Sequence, residues 1–435
     1  MFVAIGTLLA LGGLAMFYPD GATALLAISL LSFVAVVTFR KHSDEKDFLT
    51  KVFFAALVAR LAFGAFVYFF DNIDFFGADA RTYDFGGQQI VGHWLGTVAA
   101  DDPGYVHATS VGTPGWGMNY FVALIYLVLG KSFYTAQSVC AVVGAATAPL
   151  VYFCSQRIYN NRNVAKFAAL SVALFPSFII WSGQLMKDGI IVFLLVIAVT
   201  MVLALQERFS YAAITLLIFA LFGIVAFRFY IFYMVAMAVA GSFVIGVARG
   251  KPSLGKRVVV LVLLGLSLTY LGVLRNASSN FEKWGDLEAV QRSRQDLAVR
   301  AGSGYGEEVD VSTTEGAISR IPVGFAYLML APFPWQVSSV RQAITLPEVL
   351  LWWAMIPFMI SGIWYTIKNK LRSAFPALFF SLMLTIAYSI FQGNVGTAYR
   401  QRTQIQVFLF IFIAAGWTLY KEKKEDKKIM LEARR

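Results

Sequence analysis

The sequence predicts an all-α, polytopic membrane protein, and this prediction rests on its composition and on its apolar runs. Of its 435 residues, 58% are hydrophobic and only 14% are charged, whereas soluble proteins average about 25% charged residues. Apolar runs long enough to cross a bilayer recur from end to end, for example 22–39, 189–205 and 258–274. The chain is therefore expected to cross the membrane many times.

The basic residues predict which connections face the cytoplasm. Cytoplasmic loops carry an excess of Lys and Arg, and five connections have this character: 40–46, 156–166, 249–257, 368–372 and 421–428. The spans between them then alternate without conflict, with both termini inside. The segments that fall on the outer face are 71–117, 187–188, the surroundings of Arg228, 275–345 and 392–402. Because these loops explain the net charge of +11, nucleic acid is not predicted as a partner.

One apolar segment is too short to be a span. Residues 118–130 number only thirteen, below the ~17 needed to cross the hydrocarbon core. Counting this segment as a span would invert every later loop, so we interpret it as a short or re-entrant piece. The predicted architecture is one transmembrane domain over residues 1–435, with about twelve transmembrane helices, this half-span and an extended first outer loop at 71–117.

The long outer loop, 275–345, is the one extended polar stretch of the sequence. Residues 287–300 place apolar side chains near one helical face, which predicts an amphipathic surface helix. The glycine-rich residues 301–306 predict a mobile hinge, and "STTE" at 312–315 matches a capping box that starts another helix. We interpret the loop as a candidate lid.

Three stretches carry a resemblance to a known family. They are "GADARTYDFGGQQIVGHWLG" at the first outer loop, the segment from "TPGWGMNYF" to "RNVAKFAAL" that follows it, and "LFPSFIIWSGQLMKDGIIVFLLVIAV". Together they resemble the GT-C class of integral-membrane glycosyltransferases, and especially bacterial relatives of the protein mannosyltransferases and the lipid A aminoarabinose transferases. The likeness extends over residues 70–205.

The resemblance implies a GT-C-like fold and a role for two acids. In such families an acid of the first outer loop lies in an outward-facing cavity, acts as a base or orients the nucleophile, and meets a sugar donor on a polyprenyl phosphate. Asp79 matches this first-loop acid, with Tyr83 following it, and Asp188 matches a second acid between two helices.

The departing phosphate of such a donor would need cations, and the outer face offers several. Arginine suits phosphate oxygens because its guanidinium can bind them bidentately. The candidates that bind substrate are Arg81, Lys187, Arg228, Arg341, Arg400 and Arg402, with Tyr83 and Tyr399 beside them. Each cation also has an ordinary structural interpretation. Lys187 and Asp188 could cap a helix, Arg228 could snorkel to the interface, and Arg400 with Arg402 could belong to a charged loop.

Cofactors and partners follow from the same residues. No cofactor or metal site is predicted, although a divalent cation stays open because His93 and His107 share the first outer loop. Cys140 and Cys154 lie in or beside one apolar segment, so no disulfide framework is indicated. The expected partners are the lipid bilayer, a polyprenyl-phosphate sugar donor and an acceptor glycan, lipid or protein. The expected location is the inner (plasma) membrane, with the active site facing outward.

Two other functions compete with glycosyl transfer from a lipid monophosphate. A polysaccharide polymerase or an O-antigen ligase would use a lipid-pyrophosphate donor and would depend on paired outer arginines, such as Arg341 with Arg400 or Arg402. A transporter or lipid flippase would place ionisable residues at mid-membrane, often in repeated halves. The charges here gather at outer helix ends and no internal repeat is evident, which argues against a transporter.

Overall fold

The computed structural model describes residues 18–110, 115–245, 254–270, 272–273, 275, 278–279, 286–299, 304–305 and 310–432. Within these ranges every regular element is a helix, and one isolated antiparallel bridge joins Gly304 to Asn394. Most of the predicted loop at 249–257 and most of the predicted hinge at 301–306 lie outside the described residues.

The chain folds into two compact units. The first comprises Met1–Pro149 and Ala173–Phe193, and the second comprises Leu150–Val172 and Leu194–Arg435. The helices, in chain order, are α1 Pro19–Lys41, α2 Lys46–Phe69, α3 Ile73–Gly77, α4 Asp79–Trp94, α5 Pro103–Thr109, α6 Trp116–Leu129, α7 Phe133–Tyr159, α8 Arg162–Leu174, α9 Pro176–Ser182, α10 Lys187–Glu207, α11 Tyr211–Ile245, α12 Leu254–Tyr270, α13 Leu287–Val299, α14 Thr314–Leu330, α15 Val340–Phe391 and α16 Val395–Glu432.

Seven of the described helices are long and apolar enough to cross a membrane, and the bent pair α8–α9 would make an eighth. This confirms an all-α, multi-pass membrane protein, whereas the predicted count of about twelve spans is not confirmed. The prediction divided α11 and α15 into two spans each, and in the structure each consists of two helical segments that meet at a kink with one non-helical residue, Arg228 and Lys370 respectively. The 52 residues of α15 are enough for two crossings of a ~30 Å core.

The predicted half-span is present as α6, a helix of 14 residues. It packs closely against α4 because two glycines of α4 present no side chain. A Cβ atom at Gly86 would lie 2.6 Å from Cγ of Asn119, and one at Gly87 would lie 2.4 Å from Cγ1 of Val122. In turn, Nδ2 of Asn119 donates to the carbonyl of Ala108 (3.0 Å) and so holds the end of α5. The first outer loop therefore forms a packed layer of short helices.

The outer segment after residue 286 contains the predicted amphipathic helix, α13, and the predicted following helix, α14. The predicted capping residue was wrong by one position. Thr313 is the N-cap, and its hydroxyl accepts a hydrogen bond from the Gly316 N–H (3.1 Å). Ser312 instead belongs to the turn before the helix, where its N–H donates to Oδ1 of Asp310 (2.8 Å). An Asx-type turn at Asp310 thus competes with the cap that the sequence pattern favoured.

The predicted sidedness can be tested at four exposed positions. We expect cysteines at Asp101 and Glu315 to react with a membrane-impermeant maleimide on intact cells. Cysteines at Asn163 and Asn369, in the predicted cytoplasmic loops, should react only after permeabilisation. The two native cysteines are buried, which keeps the background low. Labelling of the Asn163 variant in intact cells would refute the assignment of sides.

Candidate active site

A proline breaks the chain between α8 and α9 and leaves helix-end carbonyls to be satisfied. Pro176 has no N–H, and the preceding residue, Phe175, is extended (φ −69°, ψ 129°). The last carbonyls of α8 therefore lack helical donors. Nη1 of Arg60 donates to one of them, the carbonyl of Ala173, at 2.9 Å.

Arg60 also holds the far side of this break. Its Nε donates to Oγ of Ser182, the last residue of α9, at 2.7 Å, and the residue is only 1% exposed. Ser182 is enclosed by two glycines, since a Cβ atom at Gly144 or Gly189 would lie 2.4 Å from its Cβ. Sequence analysis did not select Arg60. The sequence did contain an indication, because Arg60 is a single charged residue inside a predicted span. Such a charge is costly in a membrane and usually has a structural or functional role.

The turn after Ser182 packs against the start of the first outer loop. Residues 183–186 lead from α9 into α10. Gly77, at the end of α3, faces this turn: a Cβ atom there would lie 3.0 Å from Oε1 of Gln184 and 3.2 Å from Sδ of Met186. The backbone just before Asp79 thus lies against side chains of the turn just before Lys187.

The side chains that follow these two segments also meet. Nζ of Lys187 lies 5.7 Å from the ring centroid of Tyr83, within cation–π distance. Nζ also lies against the backbone at Gly115, where a Cβ atom would come within 2.3 Å of it. Gly115 has φ +89° at the N-terminus of α6, so both its conformation and the ammonium group require glycine. Lys187 and Asp188 are buried at the start of α10.

Asp79 is the first residue of α4 and is exposed. A negative charge in the first turn interacts favourably with the helix dipole. Tyr83 follows four residues later and therefore lies on the same side of the helix. The structure thus brings together the segments that carry Asp79, Tyr83, Lys187 and Asp188.

Asp84, the second acid of α4, has a structural position. It accepts a short hydrogen bond from the hydroxyl of Tyr126 on α6, and its other oxygen accepts from Nε2 of Gln88 at 2.7 Å. Both carboxylate oxygens are therefore engaged in joining α4 to α6. This distinguishes Asp84 from the exposed Asp79.

Arg81, predicted to bind substrate, is engaged by two acids at the corner between α2 and α4. Its Nη2 lies 3.0 Å from Oδ1 of Asp71, and its Nε lies 2.9 Å from Oδ1 of Asp74. The hydrogen bond with Asp74, together with the charge of that acid and of Asp71, raises the pKa of Arg81. These pairs are solvent-exposed and so of small energetic weight, but they turn Arg81 toward the start of the loop.

The remaining predicted residues belong to the second unit. Arg228 forms the break in α11, is buried, and lies 5.9 Å from the ring of Tyr230. Arg341 is exposed in the first turn of α15. Arg400 is half-buried, and the neighbouring Tyr399 donates its hydroxyl proton to Oε2 of Glu348 at 2.6 Å.

Arg402 is fully buried and binds the end of α14. Its Nη1 donates to the carbonyls of Met329 (3.2 Å) and Ala331 (3.0 Å). Nε1 of Trp352 donates to Met329 as well (2.7 Å), and Nε1 of Trp353 donates to Leu330 (3.1 Å). Arg402 therefore stabilises a helix terminus, as Arg60 does in the first unit. No group of three or more His, Cys, Asp and Glu side chains that could hold a metal ion occurs in the described part of the chain.

No protein-family model and no curated protein matches the sequence. Among solved structures, the chain is similar to the archaeal oligosaccharyltransferase AglB from Archaeoglobus fulgidus, solved with an inhibitory peptide and a dolichol-phosphate. The TM-score is 0.51 and the identity is 13%; the match covers 90% of this chain and 52% of that one. The chain thus spans about half the length of AglB, and the likeness shows a shared GT-C-like transmembrane fold.

The role of Arg60 gives a stability prediction. Arg60→Met should lower the free energy of unfolding by about 2–4 kcal/mol, because the carbonyl of Ala173 and the hydroxyl of Ser182 lose buried donors. The measurement is denaturant titration of the purified protein in detergent. Arg40→Met is the matched control, since Arg40 contacts Asp47 and Thr50 at the exposed surface. Equal stability of the two variants would contradict the role of Arg60.

The contact between Asp84 and Tyr126 gives a second prediction. Asp84→Asn and Tyr126→Phe should each destabilise the protein by about 1–3 kcal/mol, since each removes a charge-assisted hydrogen bond. The double variant should lose clearly less than the sum of the two, because both substitutions break the same contact. Strict additivity in the same denaturant titration would show that the two side chains do not interact.

Proposed function

We propose that the protein is a GT-C-type glycosyltransferase that moves a sugar from a polyprenyl-phosphate-linked donor to a glycan, lipid or protein acceptor. The proposed site faces the outer side of the cytoplasmic membrane. The observation that carries the proposal is the packing of the Asp79 helix against the turn before Lys187 and Asp188. The fold shared with a lipid-linked oligosaccharide transferase supports the proposal at the level of architecture.

Asp79 fits the role of general base because it matches the first-loop acid and begins the helix that packs near Lys187. It is exposed at a helix start, where a substrate hydroxyl can reach it. Asp84 joins α4 to α6 through Tyr126 and also bonds Gln88, and Asp71 and Asp74 pair with Arg81 before α4. Asp188 is buried at the start of α10 and fits a supporting role for the neighbouring Lys187.

In the proposed reaction the acceptor oxygen attacks the anomeric carbon of the donor sugar. The new bond joins that oxygen to the anomeric carbon, while the bond from the anomeric carbon to the phosphate oxygen breaks. Its electron pair stays on the polyprenyl phosphate, and the acceptor proton passes to Asp79. The ammonium group of Lys187 contacts the ring of Tyr83, on the helix that Asp79 begins. We therefore assign Lys187 to the departing phosphate. A divalent cation could add to this charge, as an extension of the proposal.

The competing polymerase or ligase function receives less support. It depends on a pair of outer arginines that bind a pyrophosphate, and Arg402 is buried with Nη1 bound to two backbone carbonyls. The proposal therefore keeps the lipid monophosphate as donor. Preferential use of a lipid-pyrophosphate sugar by the purified protein would favour the competing function instead.

The proposal predicts that Asp79→Asn lowers sugar transfer by roughly 10²-fold or more, because it removes the general base. Transfer is measured in proteoliposomes with a panel of radiolabelled polyprenyl-phosphate monosaccharides. Asp101→Asn is the matched control, since it removes another exposed acid of the same loop. Near-normal turnover of Asp79→Asn, with the wild-type protein active, would remove Asp79 from the chemistry.

A further inference from the structure

A cavity of about 230 Å³ in the second unit is lined by aromatic rings that the proposed reaction does not use. Tyr305 and Tyr327 stack with their centroids 4.1 Å apart and their planes within 8°. Phe333 meets Tyr327 edge to face at 5.3 Å. Beyond Phe333, Trp335 stacks on it at 5.2 Å and is 73% exposed. Trp335 thus extends the row of rings from the cavity lining to the protein surface.

The base of this surface is fixed by the end of α14. The carbonyls of Leu330 and Ala331 are held by Trp353 and Arg402. The Trp353 ring also lies 6.4 Å from both Phe333 and Trp335. The segment "APFPW" at 331–335 therefore leaves α14 in a defined direction, and its rings are held in place before any ligand binds. Such preorganisation lowers the entropy lost on binding.

Neutral polar groups accompany the rings. The N–H of Ser338 donates to Oε1 of Gln342 at 2.8 Å. Because a backbone N–H can only donate, the contacted amide atom is the oxygen, and the NH₂ group of Gln342 remains a donor for a bound molecule. On the same side of the cavity, the hydroxyl of Tyr327 donates to Oε1 of Gln336 at 3.2 Å.

The cavity carries no formal charge on the described residues that line it. Burial raises the pKa of Tyr305 to about 12, so its phenol stays protonated at neutral pH. The nearest guanidinium by contact, that of Arg320, lies 4.8 Å from the Tyr305 ring and donates to the backbone carbonyl of Tyr305 at 3.3 Å. Arg320 is itself buried. The described residues that line the cavity therefore offer a phosphate no cationic side chain.

We propose that this aromatic pocket, formed by Tyr305, Tyr327 and Phe333 with Gln336, Ser338 and Gln342, binds one neutral sugar ring of the glycan substrate. One face of a sugar ring presents C–H groups that pack on the negative faces of aromatic rings. Its edge presents hydroxyl groups that match the amides and hydroxyls of the pocket. A polyprenyl tail would bury these polar groups without partners, at a cost.

The inference rests on the proposed function, because it assigns a second subsite to the same substrates. The sugar could belong to a free acceptor glycan or to the sugar of the lipid-linked donor. Both present the same ring chemistry, so the experiment must separate them. The volume also limits the ligand: it lies below the ~300–1,000 Å³ of pockets that enclose drug-sized molecules, which suits a single ring.

The test is saturation-transfer NMR on the full chain in nanodiscs. The probes are neutral hexasaccharides of glucose, mannose and N-acetylglucosamine, and, in a second arm, a polyprenyl-phosphate monosaccharide. We expect at least one probe to bind, and Phe333→Leu to weaken its binding about tenfold, the loss of one aromatic contact. Gln342→Glu keeps the acceptor for Ser338 but removes the NH₂ donor, and should weaken binding similarly. Trp364→Leu, at an exposed tryptophan of the second unit, is the control and should bind normally.

The outcomes are distinct. An effect confined to the free hexasaccharides assigns the ring to the acceptor, and one confined to the lipid-linked sugar assigns it to the donor; either supports the pocket. Absence of binding by every probe, or equal binding by Phe333→Leu, Gln342→Glu and Trp364→Leu, overturns it. So does a result in which Phe333→Leu impairs only reconstitution into bilayers, since Phe333 then acts only in the folded packing of the protein. Binding that depends on Phe333 in a protein with no transferase activity would retain the pocket and refute the proposed function.

Discussion

Backbone groups at buried helix ends must find partners within the protein, and this constraint shapes both units. Unpaired carbonyls in a buried position are costly because no water can replace the lost hydrogen bonds. Arg60 satisfies the end of α8, and Arg402 satisfies the end of α14. In each case one guanidinium reaches more than one acceptor, which a lysine ammonium could do only with less defined geometry. Both arginines are nearly or fully buried, and each donates hydrogen bonds to backbone carbonyls at a helix end.

The consequences of these two helix ends extend to the candidate sites. In the first unit, the break that Arg60 holds allows α9 to end at Ser182 and the chain to turn into Lys187. Gly77 packs against the same turn, which fixes the position of the start of α4, at Asp79. In the second unit, the end of α14 held by Arg402 fixes the direction of 331–335 and of its rings. The proposed catalytic site and the proposed sugar pocket thus both lie on segments whose backbones are positioned by buried hydrogen bonds at helix ends.

Much of this fold could be predicted from hydropathy and charge alone. Apolar runs identified the membrane class, the short length of 118–130 anticipated α6, and apolar periodicity anticipated α13. The charged residues inside two apolar runs predicted a break within α11 and within α15, and the structure has a kink at Arg228 and at Lys370. The predicted count of about twelve spans is not confirmed, because seven or eight of the described elements are long and apolar enough to cross a membrane. Propensity also chose Ser312 as a cap, although the nearby Asp310 had already engaged its N–H.

The candidate site shows where pattern reasoning reaches its limit. The two acids were predicted on one face from loop charges, and the packing of Gly77 and Tyr83 against the turn before Lys187 places their segments together. A sequence cannot show which cations already bind other groups of the protein. From the sequence alone, Arg402 and Arg60 therefore look like arginines that could bind a phosphate. Their partners are backbone carbonyls, which every residue possesses and no pattern reveals. Whether an arginine in such a chain binds the backbone or a ligand therefore has to be decided from its hydrogen-bond acceptors in the structure. Aromatic rings beside neutral amides indicate a sugar site better than an arginine does.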